Sequence, residues 1–148
     1  MDISSLLEKY GLPSQEKLEE ELGLLQFEEK DDVLLGLCTL LREKIHKYSS
    51  YLHRLIQPDS DMVELHEAES FTEQEREQLY VLFSQLHHQI KKFYLVDLSP
   101  SQEAYASYFL ETFQLWLDKK REVHVAIQTI LDSWNREYSS SQQQHYFG

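Results

Sequence analysis

Apolar residues recur along this chain in three long runs at helical spacing. In the first, Leu34, Cys38, Leu41, Ile45, Tyr48, Leu52 and Leu55 follow in alternating steps of 4 and 3. Such a 4–3 alternation keeps one stripe of a helix facing a partner. Leu37, Leu40, Tyr51 and Ile56 widen the stripe, as burial in a bundle requires. The pattern predicts a helix over about 28–57, closed by Pro58. A second run, Leu79, Phe83, Leu86, Ile90 and Phe93, predicts a helix over 72–96. Thr72 and Glu75 stand three apart at its start, the spacing at which each side chain reaches the other's free backbone N–H. In the third run Phe109, Phe113, Trp116, Lys120, Val123, Ile127, Ile130 and Trp134 repeat the same steps, with Lys120 as the one break. It predicts a helix over 99–138, opened by Ser99 as cap and Pro100 in the first turn.

Shorter apolar patterns flank these runs. Residues 2–10 read as a short helix ended by Gly11, and 14–27 as a second, with Leu18, Leu22 and Leu25 on one face. Residues 59–70 form the main connection and hold a further one or two turns with Met62, Val63 and Leu65. Helices this short need packing partners. The expected fold is therefore all-α: three long antiparallel amphipathic helices in a bundle, with short N-terminal helices packed on it. Residues 1–138 are expected to make one helical-bundle domain, and 139–148, polar until Tyr146–Phe147, a disordered tail.

Composition agrees. With 148 residues, 4 Gly and 3 Pro, the chain has few turn-formers and enough length to bury a core. Its net charge of −12 argues against direct contact with nucleic acid or an anionic membrane, both of which call for a basic surface. A basic partner protein is compatible with that charge. Part of the clustering is structural, because acids gather early in the helices (Glu28, Asp31, Glu73, Glu75) and bases late (Lys44, Lys47, Lys91, Lys92), as the helix dipole favours. The single Cys38 rules out an internal disulfide and suits a reducing compartment. The start MDISSLLEKYGL lacks the basic and apolar regions of a secretory leader, and no apolar run approaches a bilayer span, so the expected location is the cytoplasm.

The search for chemistry yields little. Helical bundles hold two-metal centres with paired Glu-x-x-His motifs. One such spacing occurs, Glu43-x-x-His46, but at about 100° per residue Glu43 falls opposite the Leu34 seam. His46 and His87 lie on the flanks of their stripes and are the candidate metal ligands if the first two long helices pair. Glu16-x-x-Glu19 and Glu28-x-x-Asp31 match in type the Mg²⁺-holding pairs of the all-α nucleotide pyrophosphatases, although they sit closer together than in that family. They read better as solvated acids near helix starts. No Gly-rich phosphate loop occurs, and Cys38, on the core seam, reads as a small hydrophobe. No cofactor is expected.

Interaction is the better-supported function. The third helix is longer than the second, so Val123, Val125, Ile127, Ile130, Leu131 and Trp134 need a cover. Either the 59–71 connection supplies it, or a second copy or another protein does. The expected function is thus a non-enzymatic protein–protein interaction module or small scaffold, self-associating or holding another protein through Val123, Ile127, Ile130, Leu131 and Trp134, with no catalytic residue. The alternative is a small metal-binding or Mg-dependent nucleotide-hydrolysing bundle. Trp116 and Trp134 are the natural anchors, and Tyr146–Phe147 a candidate docking motif.

Overall fold

The computed structural model describes residues 2–147, with side chains described through residue 139. The fold is all-α. Six helices and no strand occur among the described residues: α1 (Ile3–Lys9), α2 (Gln15–Leu22), α3 (Val33–Ile56), α4 (Met62–Glu69), α5 (Glu73–Leu98) and α6 (Gln102–Phe147). No helix among these residues is long and apolar enough to cross a membrane.

The helix ends follow from side chains that satisfy orphan backbone N–H groups. Asp2 accepts from Ser5 N at 2.8 Å, Ser14 from Lys17 N at 3.3 Å, and Asp61 from Val63 N and Glu64 N. The reciprocal pair expected at α5 is present: Thr72 N donates to Glu75 Oε1 at 2.9 Å, and Glu75 N to Thr72 Oγ1 at 3.1 Å. Gly11 and Gly23 follow α1 and α2 with φ of 67° and 86°, conformations open to glycine without strain.

Two starts differ from expectation. α3 begins at Val33, not near 28, because the acids ahead of it hold a turn: Glu28 N donates to Asp31 Oδ2 at 2.7 Å, and Leu35 N to Asp32 Oδ1 at 3.1 Å. α6 begins at Gln102, not at Ser99. Ser101 is the cap and receives Ala104 N at 3.1 Å. Gln102 donates to the Asp32 carboxylate at 3.2 Å. α6 continues to Phe147, past the expected end near 138. The side chains of the expected polar tail, Tyr146–Phe147 included, lie outside the described residues.

The chain forms two compact units, and each long helix contributes to both. The first comprises 1–47 and 86–117. Its core is Leu34, Leu37, Cys38, Leu41 and Ile45 from α3, Leu86, Ile90 and Phe93 from α5, and Tyr105, Tyr108, Phe109, Phe113 and Trp116 from α6, with Leu7 and Leu18 added from the short helices. Phe93 meets Tyr105 and Tyr108 at ring separations of 6.3 and 5.2 Å. Tyr108 donates to Gln89 O at 2.6 Å and Lys92 pairs with Glu111 at 2.7 Å. Gln89 Nε2 also reaches Glu111 at 3.3 Å while Phe93, four residues later, meets Tyr105, six residues earlier, so α5 and α6 run antiparallel here. Glu21 is drawn into this core from α2, where Trp116 Nε1 donates to it at 3.2 Å and Lys44 joins them. Trp116, expected as an anchor for a partner, is spent inside the chain.

The second unit comprises 48–85 and 118–148. Leu52 and Leu55 from α3, Ala68 and Phe71 around the end of α4, Leu79 and Leu82 from α5, and Val123, Ala126 and Ile130 from α6 are its buried apolar residues.

Candidate functional site

α4 is the chain's own cover for one flank of α6. Its two turns, about 12 Å of helix, bring His66 and Glu67 against Trp134. The His66 and Trp134 rings lie 4.1 Å apart, and Trp134 Nε1 donates to Glu67 Oε2 at 3.3 Å. Tyr51 OH donates to the same oxygen at 3.2 Å. Burial and the neighbouring Glu67 carboxylate push the Tyr51 phenol up to about 12. Beneath them Ser70 Oγ donates to Ser133 Oγ at 2.8 Å, and Ser133 lies 3.2 Å from His66 Nε2. The serine–histidine contact joins two helices in a site only 8% exposed at Ser133. The hydroxyl is thus enclosed between α4 and α6.

The sequence-predicted contact residues divide accordingly. Val123 and Ile130 are buried in the core of the second unit, each 3% exposed. Ile127 is half-buried and Trp134 half-buried under α4. Leu131 is 51% exposed and faces water. The metal candidates His46 and His87 belong to the first unit, His46 exposed on α3 and His87 half-buried on α5. Among the described residues, no three His, Cys, Asp or Glu side chains converge into a group that would hold a metal ion. Glu19, of the first acidic pair, accepts from Gln15 Nε2 at 3.1 Å and Leu25 N at 3.4 Å. Glu28 and Asp31, of the second, build the turn before α3 and line a wide depression of about 1040 Å³ in the first unit. Glu19, Glu28 and Asp31 thus have structural work. Cys38 donates to Tyr105 O at 3.3 Å, and burial pushes its thiol up to about 12, far from a reactive thiolate.

Among the described residues, no short helix covers the opposite flank of α6. Val125 and Trp134 are nine residues apart, which at about 100° per residue places them on opposite sides of the helix. On the Val125 side α5 and α6 enclose an open groove of about 420 Å³. Phe71, Leu79, Leu82 and Ala126 make its floor, all buried, and Val125 stands at its wall with 53% exposure. Glu75, Asp118 and Glu122 ring it with Arg121. The sequence placed Val125 among the residues of α6 that need a cover, but no local signal set it beside Leu79 and Leu82 of α5.

No family model matches the chain, and no curated protein or solved structure matches it.

Proposed function

We propose that the chain is a non-enzymatic protein–protein interaction module, and that its contact surface is the α5–α6 groove of the second unit. The supporting observation is the groove itself: an apolar floor, a half-exposed valine in the middle of a long helix, and a volume of about 420 Å³. An apolar concavity on a helical surface is the usual receiver of another helix's side chains. The single thiol, buried at Cys38, supports a reducing, cytoplasmic setting for the role.

A second reading, self-association, is favoured by a different stripe. Leu131 and Tyr138 are 51% and 65% exposed and lie seven residues apart on α6. Proximity labelling from the full chain in its native cell tests both readings. Three exposed sites are compared: Val125→Asp in the groove, Leu131→Asp on the stripe, and Leu95→Ser in the first unit as control. The groove reading expects a set of neighbours lost with Val125→Asp and kept with the other two. Loss with Leu131→Asp alone, accompanied by a drop from dimer to monomer mass in solution, replaces it with self-association. Identical neighbours for all three remove both.

A further inference from the structure

The charges around the α5–α6 groove say what kind of helix it takes. Three carboxylates, Glu75, Asp118 and Glu122, stand around the apolar floor against one guanidinium, Arg121. Glu75 has a structural duty at the start of α5, where it receives Thr72 N. Asp118 and Glu122 do not share it: they lie more than four turns into α6, beyond the reach of the helix N-terminus. Glu122 pairs with Lys119 at 3.2 Å and remains 55% exposed. Acids beside an apolar strip repel an acidic visitor and desolvate badly against a neutral one. Such acids favour a visitor that brings its own cations alongside an apolar face.

We propose that this groove binds a basic amphipathic helix, with aliphatic side chains at i, i+3 or i+4, and i+7 seated on Leu79, Leu82 and Ala126, and lysines or arginines meeting Glu75, Asp118 and Glu122. The inference rests on the interaction role proposed above and names its partner's chemistry. A second copy of this chain is a poor occupant, because a chain of net charge −12 would set acids against acids across the seam. The apolar floor selects for amphipathy, and the acids select for charge and speed encounter.

The test uses the full chain and a fluorescein-labelled synthetic peptide of about 18 residues, five helical turns, with leucines on one face and lysines on the rest. Anisotropy is read at low and at near-physiological salt. A composition-matched scrambled peptide and a leucine–glutamate peptide are run beside it. Saturable binding is expected for the amphipathic basic peptide, at least about tenfold tighter than for either control. Val125→Asp separates the groove from simple charge attraction. It adds a negative charge yet spoils the apolar wall, so the groove predicts affinity at least about tenfold weaker, whereas bulk attraction predicts it equal or tighter. Leu131→Asp, off the groove, is expected to leave affinity within about twofold. Both sites are half-exposed, and an unchanged melting temperature verifies each fold. The proposal is overturned if Val125→Asp binds as well as the native chain, if the scrambled peptide binds equally, or if solution mass shows a dimer that Val125→Asp dissociates. Peptide arms that fail while Val125→Asp still strips neighbours in the cell overturn the basic helix and leave the interaction role standing.

Discussion

Replacing Glu21 tests how the first unit holds α2. Its side chain is 8% exposed, and two groups converge on it: Trp116 Nε1 at 3.2 Å and Lys44 Nζ at 3.8 Å from Oε2. Lys44 also donates to the Glu21 main-chain carbonyl and lies 5.3 Å from the centre of the Trp116 ring. Glu21→Ala removes the carboxylate from a site water barely reaches. Loss of the acceptor opposite the indole N–H costs about 1–3 kcal/mol. The lysine adds less than a buried cation stripped of its partner, because its side chain is 28% exposed and the main-chain carbonyl stays in place. The sum is about 2–3 kcal/mol, or roughly 4–12 °C in melting temperature for a chain of this size. Glu21→Gln keeps an acceptor for the indole and is expected to cost about 1 kcal/mol. The assay is urea unfolding followed by Trp116 fluorescence in a Trp134→Phe background, so that a single indole reports on the first unit. A buried pair is little screened, so the loss should persist at about 1 M salt. A Glu21→Ala cost under about 0.5 kcal/mol, or equal costs for Ala and Gln, refutes this account of the site.

Three further outcomes are expected. A Cβ on Gly36 would overlap the Phe27 ring. Gly36→Ala should therefore destabilise by about 1 kcal/mol despite alanine's better helix propensity, and should stabilise by up to about 1 kcal/mol in a Phe27→Ala background; a denaturant double-mutant cycle reads the coupling. Glu67→Ala takes the shared acceptor from Tyr51 and Trp134 at a partly exposed site, and should cost about 1–2 kcal/mol in thermal melts, with the Trp134 emission red-shifted. The alkaline limb of stability follows from Cys38, Tyr51 and Tyr108, all pushed up to about 12, from 9 for the thiol and 10 for the phenols. The unfolded chain releases these protons first. Their contribution is thus complete below about pH 9 and is lost as pH rises toward 12. Melting temperature should fall across that window, Cys38→Ala should soften the start of the fall, and the native thiol should resist a disulfide reagent at about pH 8 until the chain unfolds.

How much of this was legible in the sequence depends on whether a signal was local. The Thr72–Glu75 box and the end at Gly11 are decided within a few residues, and each is where spacing placed it, whereas α2 stops at Leu22, short of the expected 27, because Gly23 follows it at positive φ. The angular test on α3 also holds: Glu43 is exposed, while Leu34, Cys38, Leu41 and Ile45 are buried. Two serines flank Pro100, and spacing alone chose Ser99 where the structure caps α6 with Ser101. The partners of Glu67 and Glu21 lay beyond local reasoning. Trp134 is 67 residues from Glu67, and Trp116 is 95 from Glu21, so only the folded chain joins them.

The seam of α6 shows where burial departs from the hydrophobic pattern. Read by hydrophobicity, it runs Phe109, Phe113, Trp116, Lys120, Val123, Ile127, Ile130, Trp134. In the structure a neighbouring 4–3 path goes deepest: Tyr105, Phe109, Thr112, Trp116, Lys119, Val123, Ala126, Ile130, Ser133. The two paths share Phe109, Trp116, Val123 and Ile130 and differ where the deep one carries small or polar residues. Thr112, Ala126 and Ser133 are buried at 0%, 3% and 8% because neighbouring helices approach closely there, a property no hydropathy scale records. Rotating the seam by one position moves Ile127 and Trp134 to a flank, where the short α4 reaches them. The same rotation swings Val125 toward α5, onto the side α4 cannot reach, where Leu79 and Leu82 lie beneath it. Exposed apolar surface on this half of α6 is therefore present both in the groove at Val125 and at Leu131, while α4 covers Trp134.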